Sequence, residues 1–299
     1  MLENEKLQEL SKICAIIVSY NPDDKIKLLY ESIKKRVNYT IIIDNNSNSM
    51  SKSIIMDLLN KNNELLIIER PTNEGIAKAL NIGINKAIEL GFKWGITFDQ
   101  DSIPNKSMID IMVSDYLTCD DGKVSIVAPK FIDQRFNKKT KHIAKPIEYK
   151  DVVITSGNLI NFKIIKDIGM FDENLFIDSV DFDICLRNKL HGYKIIQSNN
   201  AYMNHSLGEK EIINLFNFKI EINKHSYIRK YYITRNHLYI IKKYYKKFPF
   251  FCLKKNIFFI KFILQSLIIE KNRLKNKDYI KRGIIDYKNS NYGKIDLKV

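Results

Sequence analysis

The sequence has few cysteines and no long uncharged apolar segment, and these absences exclude several classes of protein. Its 299 residues include four cysteines, which are widely separated and form no C-x-x-C pair, so neither a zinc site nor a disulfide framework is expected. No stretch of about 20 residues is free of charge, which excludes an ordinary transmembrane helix. The opening residues, MLENEKLQELSK, are polar and acidic, unlike a signal peptide. We therefore expect a cytoplasmic protein.

Acidic residues are the scarcer charge. Lys and Arg number 49 against 34 Asp and Glu, which gives a formal net charge of +15. Such an excess favours anionic partners: nucleic acid, phosphorylated ligands or an anionic membrane. The abundance of Lys, Asn and Ile offers a second explanation, the codon bias of an AT-rich genome. Hydrophobic residues at 45% and charged residues at 28% are typical of a folded protein, and the length suits one large α/β domain with a smaller appendage.

Apolar runs alternate with helical periodicity over the first half of the chain. The runs predict five strands, over 13–19, 39–43, 65–69, 94–98 and 124–128. The segments between them predict four helices, over 23–36, 51–60, 76–90 and 105–117. Continuous apolar strands that alternate with helices predict βαβ units and a mostly parallel sheet with helices on both faces.

The middle of the chain is less regular. Residues 130–150 predict a hairpin or loop, and residues 152–155 predict a further strand. A short helix is expected over 181–191, followed by strands over 193–197 and 201–204.

Polar side chains follow each of the first four predicted strands. These clusters are Ser19-Tyr20-Asn21, Asp44-Asn45-Asn46-Ser47, Asn73-Glu74-Gly75 and Asp99-Gln100-Asp101. In open α/β sheets the ligand crevice lies beyond the carboxyl ends of the strands. The sequence therefore predicts a polar binding site at this edge of the sheet.

Asp99 and Asp101 are the central candidates for chemistry. Two carboxylates separated by one residue can bind the same hard divalent cation, and Mg²⁺ or Mn²⁺ prefers oxygen ligands and can bridge to a diphosphate. The cation would stabilise the charge of a departing nucleoside diphosphate. The alternative is a solvated loop, since D-x-D is common by chance.

Three other residues at these strand ends are candidates for nucleoside contact, each with a structural alternative. Asp44 can accept a hydrogen bond from a base N–H or a ribose hydroxyl, or it can stabilise the turn that follows. Asn73 can contact the nucleoside or cap the next helix. Gly75 allows close approach of the backbone.

Asp181 is the candidate general base, and His205 is a candidate third metal ligand. Asp181 lies in the first turn of its predicted helix, where the helix dipole favours an ionised carboxylate; the alternative is a helix cap. Arg187 could pair with an acidic neighbour. His205 follows a strand, and a neutral imidazole can bind a metal, although a lone histidine is more often structural.

From about residue 224 the sequence becomes aromatic, aliphatic and basic together, and Pro249 predicts a break between two helices. Lys254, Lys255 and Lys261 interrupt the apolar residues 248–269. Spanning a bilayer would bury them at about 2.5 to 3.5 kcal/mol each, whereas a helix in the interface leaves them among lipid phosphates. The alternatives are helices packed on the catalytic domain and a homodimer interface.

The order of eight motifs along the chain resembles glycosyltransferase family 2, specifically its bacterial rhamnosyltransferase-like branch, from about residue 13 to 245. The motifs are VSYNP (18–22), IDNNS (43–47), NEGIAKALNIGI (73–84), FDQDS (98–102), SGNLI (156–160), FIDSVDFDICLRNKLHGY (176–193), HSLG (205–208) and YYITRN (231–236). The resemblance implies a GT-A fold, and the change in composition at about residue 224 predicts a catalytic domain over 1–223 and a basic amphipathic helical region over 224–299.

The resemblance also implies roles for single residues. Ser19 and Asp44 would bind the nucleoside, and the D-x-D carboxylates would hold the metal, with His205 completing the site. Val180 stands where the family usually has the Glu of a Glu-Asp pair, so Asp181 alone takes the role of base. Arg235 would contact the diphosphate of the nucleotide sugar or the acceptor.

The expected reaction is inverting transfer of a sugar from a dTDP- or UDP-sugar to a saccharide in a bacterial surface polysaccharide. The resemblance favours dTDP-L-rhamnose as donor and a lipid-linked acceptor at the inner face of the cytoplasmic membrane. UDP-galactofuranose or another UDP-hexose is the alternative donor. A metal-dependent nucleotidyltransferase is the alternative of another class. A nucleic-acid binder would explain the charge but not four polar strand ends, so no nucleic-acid partner is expected.

Overall fold

The computed structural model of the protein describes residue 8 and residues 10–59, 64–119, 122–132, 145–204 and 225–296, together with the backbone of 210–215 and 218–223. It divides into two compact units. The first consists of Met1–Glu173 and Val180–Ser206, and the second of Asn174–Ser179 and Leu207–Val299. The second unit thus includes residues 174–179 and 207–223, which the sequence analysis assigned to the catalytic domain.

The first unit is built on a sheet of nine described strands. They are β1 (Ile13–Ser19), β2 (Tyr39–Asp44), β3 (Leu65–Glu69), β4 (Trp94–Asp99), β5 (Ile103–Pro104), β6 (Val124–Ile132), β7 (Ile147–Tyr149), β8 (Leu159–Asn161) and β9 (Lys194–Asn204). Their order is β3-β2-β1-β4-β8-β6-β9-β5, and β7 also pairs with β9. The helices of this unit are α1 (Lys25–Ile33), α2 (Ser49–Leu59), α3 (Ile76–Glu89), α4 (Met108–Thr118), α5 (Phe162–Asp167) and α6 (Val180–Leu190).

The parallel strands β3, β2, β1 and β4 form as predicted. Their continuous apolar side chains are buried in β1, β2 and β4, whereas in β3 Leu65 is buried and the next three residues are half-buried. The register brings the ends of these four strands together. Ser19 lies opposite Asp44, Val18 lies opposite Asp99, and Asp44 lies opposite Glu69. The predicted convergence of polar strand ends at one edge is therefore present.

Helix packing fixes this edge. Helix α1 buries Ile26, Leu29, Tyr30 and Ile33, a spacing that places all four on one helical face. Helix α3 approaches β1 closely at Gly83, where a Cβ would lie 2.5 Å from the Ile16 Cγ2 atom. The loop after β1 and the loop before α3 therefore both adjoin a tightly packed core.

Two strand predictions in the middle of the chain are wrong. Residues 152–155 form no strand; instead the Thr155 carbonyl accepts a hydrogen bond from Thr97 Oγ1 at 2.6 Å, which turns the chain against β4. The strand at this place is β8, antiparallel to both β4 and β6. Apart from residue 193, which precedes it, the residues predicted as strands over 193–197 and 201–204 lie in one strand, β9, rather than two.

The cysteines behave as the sequence indicates. All four are free, and Cys14, Cys185 and Cys252 are buried. Burial raises the pKa of the Cys14 and Cys185 thiols to about 12, so both stay protonated and act as small apolar residues.

The second unit is mainly helical. Its elements are the hairpin β10 (Lys210–Leu215) and β11 (Phe218–Asn223), then α7 (Tyr227–Tyr244), α8 (Pro249–Leu264), a π-helical turn (Gln265–Ile269) and α9 (Arg273–Lys288). Pro249 opens α8, so the predicted break between two helices is confirmed. Across the part of the chain that the structure describes, no helix is long and apolar enough to cross a membrane.

Candidate functional site

The loop after β2 is organised around the Asp44 carboxylate. Asp44 is buried, and its oxygens accept hydrogen bonds from the Ser47 backbone N–H at 3.2 and 3.3 Å and from the Ser47 hydroxyl. The Ser47 hydroxyl oxygen in turn accepts a bond from the Asn21 backbone N–H at 2.8 Å, which ties this loop to the loop after β1. A carboxylate has about four acceptor sites, so Asp44 can still accept from a ligand N–H or O–H.

The loop before α3 joins the same network through a residue that the sequence analysis gave no role. The side-chain amide of Asn45 accepts a hydrogen bond from the Glu74 N–H at 2.9 Å and donates one to the Gly75 carbonyl at 3.2 Å. Asn73 accepts from the Gly75 N–H at 3.0 Å. Gly75 has a φ of 88°, which favours glycine at this position.

Gln100, the middle residue of the D-Q-D motif, clamps the loop after β1. Its side-chain oxygen accepts a hydrogen bond from the Tyr20 backbone N–H at 2.7 Å, and its side-chain nitrogen donates to the Tyr20 carbonyl at 3.2 Å. Both bonds use backbone groups of Tyr20, so they hold the loop itself rather than a side chain. Sequence reasoning missed this role because it treated Gln100 only as the spacer between two carboxylates.

The carboxylates of the motif rest on a second loop, residues 155–158. The Ser156 hydroxyl accepts a hydrogen bond from the Asp99 backbone N–H at 3.0 Å and lies 2.7 Å from the Ser102 hydroxyl. Ser102 and Ser156 are buried, whereas Asp99 and Asp101 are half-buried. These two hydrogen bonds fix the backbone on either side of the D-Q-D motif.

The donor set of this edge fits a hard divalent cation. Asp99 and Asp101 supply two carboxylates, and Mg²⁺ is commonly held by one or two carboxylates together with substrate phosphates and water. Within the described ranges, no cluster of three or more His, Cys, Asp or Glu side chains could hold a metal. His205 lies outside the described residues.

Asp181 lies in the first turn of α6 in the first unit, and its neighbour Asp183 is excluded as an alternative base. Asp183 is fully buried and accepts a hydrogen bond from Arg187 Nε at 2.7 Å, so the predicted acidic partner of Arg187 is confirmed. Arg187 also donates to the Ile168 carbonyl at 2.7 Å. Asp181 is half-buried, and one of its oxygens accepts from the Phe182 N–H at 3.0 Å.

Arg235 has a different environment from the one that the family resemblance implied. It lies in the second unit, is fully buried, and donates to the carbonyls of Gly293 at 2.7 Å and Asn174 at 3.2 Å and to the Asn236 side chain at 3.0 Å. Its charge also lies over two tyrosine rings. A guanidinium whose N–H groups are used in this way is structural, and we do not retain it as a ligand for diphosphate.

Comparisons with known proteins agree with this architecture. The family model described as glycosyl transferase family 2 matches residues 14–178. The dTDP-rhamnosyl transferase RfbF of Shigella flexneri is 32% identical over 293 residues, which cover 92% of this chain and 94% of the relative.

Two solved structures show the same fold. GalNAc-T7 with UDP, GalNAc and Mn²⁺ has a TM-score of 0.61 at 13% identity; the match covers 93% of this chain but 57% of that one. The mannosyltransferase PcManGT of Pyrobaculum calidifontis, in complex with GDP-Man and Mn²⁺, has a TM-score of 0.57 at 11% identity and coverages of 96% and 93%. The predicted GT-A fold is confirmed.

Proposed function

Because the chain belongs to glycosyl transferase family 2, we propose that it transfers L-rhamnose from dTDP-L-rhamnose to a saccharide acceptor with inversion at the anomeric carbon. The observation that supports dTDP-L-rhamnose as the donor is the similarity to dTDP-rhamnosyl transferase RfbF, which extends over 92% of this chain and 94% of that protein. The strand-end loops support nucleotide binding, since they present a carboxylate and backbone groups at the edge where α/β sheets bind ligands.

In this proposal the nucleoside lies against the loops after β1 and β2. Ser19 and Asp44 are adjacent across the β1–β2 pair, and Asp44 would accept a hydrogen bond from the base or the ribose. Asn73 and Gly75 would line the same side, because Asn45 joins their loop to that of Asp44. The predicted contacts with the nucleoside thus share one hydrogen-bonded framework.

The diphosphate end of the donor is assigned to the D-Q-D motif. Asp99 and Asp101 would hold a Mg²⁺ or Mn²⁺ ion, which when bound neutralises negative charge on the diphosphate. Ser156 keeps the Asp99 backbone in place through the 3.0 Å hydrogen bond. The chain's own contribution here is a rigid placement of two carboxylates.

Asp181 is proposed as the general base. It accepts the proton of the acceptor hydroxyl as that oxygen forms a bond to the anomeric carbon, and the bond from this carbon to the diphosphate oxygen breaks with its electron pair. Attack from the face opposite the leaving group inverts the configuration. The first turn of α6 favours an ionised carboxylate through the helix dipole, which suits a group that must accept a proton.

A donor screen tests the proposal. Purified protein is incubated with an acceptor saccharide, Mn²⁺ and either dTDP-L-rhamnose, UDP-galactofuranose or UDP-hexoses, and nucleoside diphosphate release is measured. Release from dTDP-L-rhamnose, dependent on acceptor, is expected. Release only from a UDP-sugar would overturn the donor assignment. Release of inorganic diphosphate from a nucleoside triphosphate, with none from sugar donors, would indicate a nucleotidyltransferase instead.

We further propose that the acceptor is lipid-linked and that the second unit binds the inner, anionic face of the cytoplasmic membrane. Helix α8 exposes apolar side chains at a spacing of three and four residues. They are Phe250, Leu253, Ile257, Ile260 and Leu264. This spacing places them along one face, and Lys254 and Lys261 are exposed on the same helix. Apolar side chains flanked by lysines suit the boundary between acyl chains and lipid phosphates.

Co-sedimentation with vesicles of phosphatidylglycerol and phosphatidylcholine tests the membrane proposal. Binding should require the anionic lipid, weaken in high salt, and decrease when Lys242, Lys243, Lys246 and Lys247, all exposed, are changed to Gln. Each lysine near the surface contributes about 1 kcal/mol of attraction. Protein that stays in the supernatant at low salt would refute the proposal. A dimer detected by light scattering and disrupted by Leu253→Ser would assign the face to a second copy.

A further inference from the structure

The helix that carries Asp181 has a pair of opposite charges on its inner face. Arg187 Nε–H donates to the Asp183 carboxylate, one turn earlier in α6, at 2.7 Å. The Asp183 side chain is fully buried, and that of Arg187 is 13% exposed. Val180 and Ile184 are buried on the same side of the helix. The inner face of α6 therefore combines apolar residues with an ion pair.

Asp181 and Asp183 lie on nearly opposite sides of α6. An α-helix has 3.6 residues per turn, so two residues that are two positions apart are separated by about 200° around the helix axis. Asp183 is buried and Asp181 is half-buried. A rotation of α6 that brought Asp183 toward water would therefore turn Asp181 toward the protein interior. The burial of Asp183 thus fixes the direction in which the candidate base faces.

The guanidinium of Arg187 also bonds to a turn outside the helix, residues 168–171. Its two terminal nitrogens donate to the Ile168 carbonyl at 2.7 Å and to the Met170 carbonyl. Gly169, between these two carbonyls, has a φ of 97°, and a Cβ at this position would lie 3.2 Å from Arg187 Nη1. The positive φ and the close approach both favour glycine. The turn thus directs two carbonyls at one guanidinium.

The 168–171 turn is also held by helix α3. The side-chain oxygen of Asn81 accepts a hydrogen bond from the Phe171 backbone N–H at 3.0 Å, and its nitrogen donates to the Phe171 carbonyl at 2.9 Å. Asn81 is buried. The turn, α3 and α6 all belong to the first unit. The fork of Arg187 therefore joins α6 to a turn whose position α3 already fixes.

We propose that Arg187 is a positioning residue for the general base: its fork compensates the buried Asp183 carboxylate and so sets the rotation of α6 that presents Asp181 to the acceptor hydroxyl. This inference rests on the proposed role of Asp181. A buried carboxylate is costly without a compensating charge and hydrogen bonds. Without the guanidinium, α6 shifts so that water reaches Asp183, and Asp181 moves with it. Turnover should suffer rather than donor affinity, because no proposed donor contact lies in α6 or in the turn.

The first test compares Arg187→Met with Asn188→Ala. Asn188 is a matched control, because it is the next residue of α6 and is fully buried, but its amide donates to the Ile184 carbonyl of the same helix at 2.8 Å rather than to the turn. We expect Arg187→Met to lower kcat about 10- to 100-fold, the effect of a displacement of about 1 Å at a reacting group. The dissociation constant for dTDP should stay within about 2-fold of the parent. Asn188→Ala should lower the thermal midpoint and keep kcat.

A second substitution separates positioning from a direct action of Arg187 on the substrate. Asp183→Asn in the Arg187→Met background removes the uncompensated charge and keeps the shape of the side chain, so α6 should return toward its rotation and part of the lost kcat should be recovered. An arginine that acted on the substrate through its own charge would give no such recovery. A parental kcat in Arg187→Met, an equal loss in Asn188→Ala, or no recovery in the double variant would overturn the inference.

Arg187→Lys provides a milder variant should Arg187→Met not fold. Lysine keeps the positive charge beside Asp183 but not the planar fork that bonds the carboxylate and both carbonyls together. Its kcat should therefore lie below that of the parent, with the dissociation constant for dTDP unchanged. A parental kcat in Arg187→Lys would show that the fork does not position the base.

Hydrogen exchange followed by mass spectrometry makes the outcome independent of the reaction. Amides of residues 180–190 should exchange faster in Arg187→Met than in the parent and in Asn188→Ala, and should slow again in the double variant. Unchanged exchange over these residues would overturn the inference even if no donor were found. If the parent releases no nucleoside diphosphate from any donor but the exchange differences are present, the proposed function fails and the placement of α6 by Arg187 stands.

Discussion

Replacing Gln100 by alanine is expected to weaken nucleotide binding while leaving both carboxylates of the D-Q-D motif in place. Gln100 bonds the backbone N–H of Tyr20 at 2.7 Å and its carbonyl at 3.2 Å. In the variant, the loop after β1 loses its attachment to the loop after β4. The loop after β1 is then attached only to the loop after β2, through the hydrogen bond from the Asn21 backbone N–H to the Ser47 hydroxyl.

The size of the effect follows from the two hydrogen bonds. A typical bond contributes about 0.5 to 1.5 kcal/mol. Tyr20 is 49% exposed, so water can replace part of each bond and the lower half of that range applies. Two bonds at about 0.5 to 1 kcal/mol each give about 1 to 2 kcal/mol. If dTDP binding requires the loop to be held in this way, the dissociation constant for dTDP rises about 5- to 30-fold.

Calorimetric titration of dTDP in the presence of Mn²⁺ measures the change directly. Gln197→Ala is the matched control, because the Gln197 amide also donates to a backbone carbonyl, that of Pro129 at 3.2 Å, but not to a strand-end loop. The control should bind dTDP like the parent. A dissociation constant for Gln100→Ala within about 2-fold of the parent would show that the clamp does not organise the site.

Three further outcomes are expected. Asp181→Asn should lower turnover about 10²- to 10⁴-fold with donor affinity retained; turnover within a few-fold of the parent would remove Asp181 as the base. Asp101→Ala should abolish metal-dependent donor binding, whereas equal affinity in excess chelator would exclude a metal role. Burial lowers the pKa of His237 from 6.5 to about 4, so the unfolded chain takes up a proton over this range that the folded chain does not. The free energy of unfolding should therefore fall by up to about 3 kcal/mol as the pH decreases from 6.5 to 4, and His237→Phe should flatten this decline in urea titrations; an unchanged decline would contradict the assignment.

The strands that carry the site could be predicted because their signal is local. A parallel strand buried on both faces is a continuous apolar run, and β1 begins and ends at the predicted residues. Strand β8 gives no such signal, since it has three residues and owes its place to pairing with β4 and β6. Residues 152–155 have the β-branched composition of a strand, yet the bonds from Thr97 to this loop decide their conformation.

The carboxylates of the candidate site could be predicted, but the bonds that join their loops could not. Asp44 and Asp99 are identifiable because each ends an apolar run. Gln100 and Asn45 act across loops that are distant in sequence, so their partners follow only from the order of strands in the sheet. Arg235 was misassigned for a similar reason: a helical Arg-Asn pair does not reveal from sequence whether it faces a ligand or a buried carbonyl.

The distribution of charge bears on the two explanations of the basic composition. Residues 222–269 contain eleven Lys and Arg and no Asp or Glu, so most of the net charge of +15 comes from this segment. A genome-wide bias toward lysine would spread the excess along the chain rather than remove every acid from one stretch. Packing the exposed face of α8 against a second copy would bring lysines of like charge together, whereas an anionic lipid surface compensates them. The concentration of charge beside exposed apolar side chains therefore favours the membrane over a dimer, and it requires that binding weaken as salt increases.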